Sequence, residues 1–170
     1  MKEAGFKVLE NEWIKLSDGR RLSARIWLPD SALKKPSPAI LEYLPYRNRD
    51  GTAQRDDSTY PHFAAAGYVG LRVDISGTGE SDGDWDDEYS PRELADGCEV
   101  IAWIAEQAWC DGNVGMMGIY WGGFNGLQIA ALQPAALKAV ISIGTTVDRY
   151  NDDIHYKGGC LLYSNFYWSS

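Results

Sequence analysis

The sequence is short of histidine, of cysteine and of positive charge, and it has no long apolar run. Each scarcity excludes something. Sixteen Lys and Arg stand against 24 Asp and Glu, a formal net charge of −8. Nucleic acid and anionic membrane surfaces both need a basic face, so neither is expected as a partner. No stretch approaches the roughly 18–20 apolar residues of a membrane span, and the opening MKEAGFKVLENEW lacks the apolar core of a signal peptide. The three cysteines, Cys98, Cys110 and Cys160, are widely spaced and form no CxxC pair. They read as reduced thiols in a cytoplasmic protein. No metal-ligand cluster is visible, so no metal is expected. The two histidines, His62 and His155, leave few candidates for a catalytic base.

What is present is enough to fold. The 170 residues are 45% hydrophobic, with seven Trp and ten Tyr, which supports one sizeable core. The most informative stretch is Asp111–Leu132, DGNVGMMGIYWGGFNGLQIAAL. A turn at Asp111-Gly112 leads into an apolar run of strand length, Val114–Ile119. Gly118-Ile119-Tyr120-Trp121-Gly122 follows, and then a small-residue amphipathic segment that stops at Pro134. Strand, glycine turn and helix make the layout of a nucleophile elbow, G-x-S-x-G, with Tyr120 where Ser belongs. The glycines let the helix backbone pass close to the strand. A bare G-x-x-x-G more often marks an ordinary strand–turn–helix with glycines for close packing.

The rest of the chain gives that stretch its setting. Val8–Leu16 and Arg21–Leu28 are β-rich and joined across Ser17-Asp18-Gly19-Arg20, a hairpin signal. Ala39–Leu44 has the near-continuous apolar character of a buried strand. A long polar loop, 45–58, follows, and loops of that length in compact domains are usually functional or mobile. Tyr60–Ala66 reads as a short helix ended by Gly67, and Tyr68–Asp74 as a strand. Ser90-Pro91-Arg92-Glu93 is a capped helix start for Pro91–Ala108, whose Leu94, Cys98, Ile101 and Ile104 recur at helical spacing. Leu137–Ile143 is a further strand. Strands alternating with helices give an α/β fold, three layers deep, with a mostly parallel sheet and an antiparallel N-terminal hairpin.

Two loop motifs fall short. Gly77-x-Gly79-x-x-Asp82 follows a strand but lacks the third glycine and opens no helix, so it is no dinucleotide fingerprint. Asp82, Asp84, Asp86 and Glu93 mimic a calcium loop, but Asp87 holds the glycine position and a strand precedes the loop.

Several ordered stretches together resemble one family. They are Leu44-Pro45-Tyr46-Arg47, Val73 to Gly83 (VDISGTGESDG), Leu94-Ala95-Asp96-Gly97, Trp109 to Met116 (WCDGNVGM) and Trp121 to Gly126 (WGGFNG). They are similar to the cocaine-esterase-like and X-Pro dipeptidyl-peptidase-like (S15) α/β-hydrolases, the CocE/NonD group, from about Glu12 to the last residue. The resemblance implies a serine hydrolase acting on a small ester or short peptide, with no cofactor, since acyl transfer by a triad needs none. In it an elbow Ser attacks the carbonyl, a His takes the proton and an Asp orients the His. It implies one oxyanion donor in the Tyr46 hydroxyl and a second in the backbone N–H of Trp121. Such donors are worth about 3 kcal/mol each.

The departures matter as much. Tyr120 puts a phenol, with an ordinary pKa of roughly 10, where the nucleophile should be. Its ring is expected to fill the acyl space. Ser76 stands where the family's loop carries Arg, so an ion pair beneath the site is expected to be lost. The family's Asp and His follow later strands, and His155, with Asp148, Asp152 and Asp153, comes too early for those roles. His155 is therefore expected to be a structural or surface histidine. The expectation is a single truncated α/β-hydrolase domain over 1–170, with sheet and helices to residue 147 and the start of a cap from 148. Its C-terminal strands are missing and its catalysis impaired; the alternative is a pseudoenzyme that binds a carbonyl ligand or partner protein. The strand Leu137–Ile143 is then a bare sheet edge. Self-association through it is expected, aided by apolar residues in 158–163 and 166–168.

Overall fold

A computed structural model describes residues 5–164 and 166. The chain order is β1 (Phe6–Lys15), β2 (Arg21–Pro29), β3 (Ser37–Leu44), α1 (Ala53–Ala65), β4 (Val69–Asp74), α2 (Pro91–Ala105), β5 (Cys110–Ile119), α3 (Trp121–Ala131) and β6 (Leu137–Ile143). A small hairpin, β7 (Tyr156–Lys157) with β8 (Cys160–Leu161), comes last. The six long strands form one sheet in the order β1-β2-β4-β3-β5-β6. β1, β2 and β4 pair antiparallel, whereas β4, β3, β5 and β6 run parallel. This is the expected α/β-hydrolase-like sheet with its antiparallel N-terminal hairpin.

Alternation along the strands sorts the two faces. Leu22, Ala24, Ile26 and Leu28 of β2, Leu41 and Tyr43 of β3 and Leu71 and Val73 of β4 join Val100, Ile101, Ile104 and Ile129 of α2 and α3 in the main core. Residues of the other parity meet α1: Trp27 stacks on Tyr60 at 4.4 Å between ring centres. A Cβ on Gly70 would lie 2.5 Å from the Tyr60 ring, so glycine is what lets α1 sit this close. α1 thus covers the β1-β2-β4 side of one face, and α2 and α3 cover the other.

The chain departs from expectation at α1, which begins at Ala53, seven residues before the expected start. Its first turns, Ala-Gln-Arg-Asp-Asp-Ser-Thr, look like loop because their buried face is charged. Asp56, fully buried, pairs with buried Arg72 at 3.2 Å, and Arg55 pairs with buried Glu42. Tyr60 donates to the same Glu42 at 3.2 Å. Burying charge is tolerated only when it is paired and hydrogen-bonded, and here the pairing spans three elements. α2 stops three residues short of the expected Ala108, where Glu106 closes the helix.

Candidate active site

The site gathers at the C-terminal ends of the parallel strands. At the β5–α3 junction Tyr120 holds φ 48° and ψ −112°, a region that non-glycine residues seldom occupy. Two main-chain bonds fix it there. Its N–H donates to the Ile143 carbonyl at 3.0 Å, and its carbonyl accepts from the Phe124 N–H at 2.8 Å. A Cβ on Gly118 would collide with the Gly122 backbone, 2.6 Å from its Cα. The elbow is therefore built in its backbone, for the steric reason that the glycine spacing suggests.

The Tyr120 side chain does not simply fill the space in front of the elbow. It is half exposed and leans along Gly144 at the end of β6, with ring carbons 3.4–3.7 Å from where a Cβ there would stand. A cavity of about 230 Å³ remains beside it, lined by Tyr46, Tyr89, Tyr120, Trp121, Phe124, Ile154 and His155. All three site residues expected from the sequence, Tyr120, Tyr46 and Trp121, thus line one cavity. Tyr46 meets the Trp121 ring edge-on at 6.5 Å. Burial, with Glu88 adding to it, pushes the Tyr46 phenol above its ordinary range, so near neutral pH its hydroxyl stays protonated and can donate. The Trp121 backbone N–H belongs to the first turn of α3, where N–H groups point out of the helix end.

Glu93 organises the aromatic wall. Its own N–H is capped by the Ser90 hydroxyl at 3.1 Å, as the capping signal predicts. Its carboxylate accepts from the Tyr89 N–H at 2.9 Å and from Trp121 Nε1 and Asn125 Nδ2, each at 2.7 Å. One acidic residue thereby ties the start of α2 to the elbow helix. Nothing in sequence beyond its cap position signals that role.

An ion pair does lie beneath the site at Ser76, and Arg20 supplies it. This residue, in the β1–β2 turn, reaches the loop after β4. Its guanidinium grips buried Asp96 with two bonds, at 2.7 and 2.8 Å, and also bonds Ser76 Oγ, which donates to Asp96 at 2.9 Å. A guanidinium is kept beneath the site, supplied from another strand pair.

The histidines divide. His62 is exposed in the last turn of α1, away from the cavity. His155 is not a surface residue: it is 7% exposed and lines the cavity together with Tyr120. It arrives there because residues 148–157 fold back across the elbow. Arg149 fastens that segment, stacking over Tyr89 and Phe124 at 4.8 and 4.9 Å and pairing with Glu88 and Asp153. Asp153 in turn accepts from the His155 N–H at 2.8 Å. Phe124 lies in the WGGFNG stretch, but Tyr89, Arg149 and His155 carry no local sequence signal, because only the tertiary fold assembles them.

Among the described residues, no group of three or more His, Cys, Asp or Glu side chains could hold a metal ion. Asp82, from the calcium-like loop, pairs with Arg21 instead, and Asp86 with Arg92. No helix among the described residues is long and apolar enough to cross a membrane.

Comparisons with known proteins bear on the family and the fold. Residues 18–170 match the X-Pro dipeptidyl-peptidase (S15 family) pattern. Cocaine esterase from Rhodococcus sp. (strain MB1 Bresler) is 33% identical over 164 residues, 95% of this chain and 28% of that protein. The chain therefore spans well under a third of that relative's length. A crystal structure of a CocE/NonD family hydrolase from Staphylococcus aureus superimposes with a TM-score of 0.81 at 22% identity, covering 96% of this chain and 32% of that one. An α-amino acid ester hydrolase gives a TM-score of 0.77 at 23% identity, covering 99% and 30%. At those identities the two structures speak for the fold alone. The sequence match over nine-tenths of the chain speaks for descent, and the chain belongs to the X-Pro dipeptidyl-peptidase (S15) family of α/β-hydrolases.

Proposed function

We propose that this chain carries the nucleophile-elbow half of a serine-hydrolase-type site for a small ester or short peptide, and that with Tyr120 in place its own hydrolytic chemistry is impaired. The observation behind the reading is the Tyr120 backbone, held at φ 48° and ψ −112° in the elbow between glycines that nearly touch. The carbonyl would sit in the aromatic cavity, with the Tyr46 hydroxyl and the Trp121 N–H as donors to the oxyanion. A phenol in place of a serine hydroxyl sets the reacting oxygen farther from the backbone and gives a poorer nucleophile near neutral pH. Residues from 148 onward act as the start of a cap. Three free cysteines favour a reducing, cytoplasmic setting.

The test is hydrolysis of a p-nitrophenyl ester by the chain alone. The expected rate equals that of an unrelated protein of similar composition. A clear rate that Tyr120→Phe abolishes would overturn the impairment. The second reading, a binding protein without turnover, is favoured by the open aromatic cavity of about 230 Å³. It expects saturable one-to-one binding of an aryl ketone, weakened by Trp121→Ala.

A further inference from the structure

The loop that carries Tyr46 is held by a buried pair of polar residues. Asn48 is fully buried and Asp74, at the end of β4, is 1% exposed. The Asn48 N–H points at both Asp74 oxygens, at 3.0 and 2.9 Å, and its Nδ2 donates to Asp74 Oδ2 at 3.0 Å. The same Nδ2 reaches the Ser23 carbonyl and hydroxyl of β2, each at 3.3 Å. Between Tyr46 and Asn48, Arg47 sits at φ 55°, a conformation that costs a non-glycine residue energy unless its neighbours hold it. Across the site, Gly79 of the loop after β4 packs directly on an Asp74 oxygen, leaving no room for a Cβ.

We propose that Asp74 is a positioning residue for Tyr46, and that the Asp74–Asn48 clamp is closed in its ionised form and relaxes on protonation. A carboxylate can accept from both donors of Asn48, whereas a carboxylic acid turns one of its oxygens into a donor facing an N–H. The charges around Asp74 come from several elements. Arg72 on β4 lies at 4.0 Å, Asp56 comes from α1 and Asp50 from the same loop. Glu42 on β3 pairs with the same Arg72 at 3.7 Å. Burial outweighs the Asn48 bonds and Arg72, lifting the Asp74 carboxyl to about 6. The clamp therefore changes state within the ordinary working range of a protein.

The sign separates a local from a global effect. A raised carboxyl value means that the fold prefers the neutral form. Stability from this group is fully present below the unfolded value of about 4 and is lost as pH rises through about 6. Acidification through that window therefore loosens the Tyr46 loop while this group makes the fold no weaker.

The measurement places 3-fluorotyrosine at position 46 of the whole chain and follows its fluorine resonance from about pH 8 to about pH 4.5. The expected result is a shift with its midpoint near 6, together with severalfold faster amide exchange of Asn48, after correction for intrinsic rates, on the acid side. Asp74→Asn removes the shift, and Asn48→Ser broadens the resonance at all pH values. A flat resonance in the unaltered chain overturns the proposal, as does a shift that survives in Asp74→Asn. If Asp74→Asn fails to fold, the unaltered chain and Asn48→Ser decide. The readout is Tyr46 itself, so the proposal stands or falls apart from any ester hydrolysis.

Discussion

At the residue scale, the site depends on polar groups that are expensive to bury and are therefore paired with care. The Arg20–Asp96–Ser76 cluster shows how a buried carboxylate is held. Ser76 cannot neutralise Asp96, which is 3% exposed, so the charge comes from a turn more than fifty residues away in sequence. Its bidentate geometry is the strong form of a carboxylate contact. Removing Arg20 strands a buried carboxylate, and breaking such a pair costs about 3–5 kcal/mol. Arg20 is 19% exposed, so solvent relieves part of that cost and Arg20→Ala is expected to destabilise by about 3 kcal/mol. Urea unfolding measures it. A loss below about 1 kcal/mol would mean that water already screens Asp96 and the cluster is only decorative.

At the element scale, the elbow is a packing problem solved by glycine. Gly118→Ala forces a Cβ into the Gly122 backbone, and neither β5 nor α3 can retreat without disturbing the sheet. A cost of about 3 kcal/mol is expected, the upper end for overpacking. Gly112 gives the contrast. It has φ 85° with open space around it, so Gly112→Ala pays only for backbone strain, about 1–2 kcal/mol. Thermal unfolding of the two variants separates contact from conformation, and equal losses would defeat the close-packing account. The same element shows what a reader of sequence can see. Glycine spacing, apolar strands and a Ser-x-x-Glu cap are local signals, and β6 spans Leu137–Ile143 as expected. α1 was partly hidden because its first turns bury Asp56 against Arg72, which defeats any search for apolar periodicity. Tyr46, Tyr120 and Trp121 were legible from ordered motifs. Tyr89, His155 and Arg149 were not, because the first is placed by the start of α2 and the other two by long-range folding of 148–157 onto the elbow helix.

At the scale of the whole molecule, the two sheet edges are treated differently. β1 carries Lys7, Glu10, Glu12 and Lys15 and an irregular register between Leu9 and Glu12. Charge and a bulge are the usual means of blunting an edge. β6, at the opposite edge, carries one charge, Lys138, and among the described residues nothing pairs with its outer side. Ile141 and Ile143 are 60% and 47% exposed. Beside them the sheet face that α1 leaves bare forms a groove of about 320 Å³, lined by Ile40, Phe63, Tyr68, Met117 and Ile141 among others. Leu161, Tyr163 and Phe166 add exposed apolar area, while Tyr167 and Trp168, of which the same was expected, lie outside the described residues. Unpaired N–H and C=O groups beside apolar side chains favour addition of another strand. The isolated chain is therefore expected to associate at high micromolar concentration, with a light-scattering mass above 18.9 kDa that rises with concentration. Ile141→Lys places a charge on that edge and is expected to shift the population towards monomer. The same substitution on a correctly blunted edge would change nothing, so a monodisperse monomer before and after it would remove β6 as a docking edge.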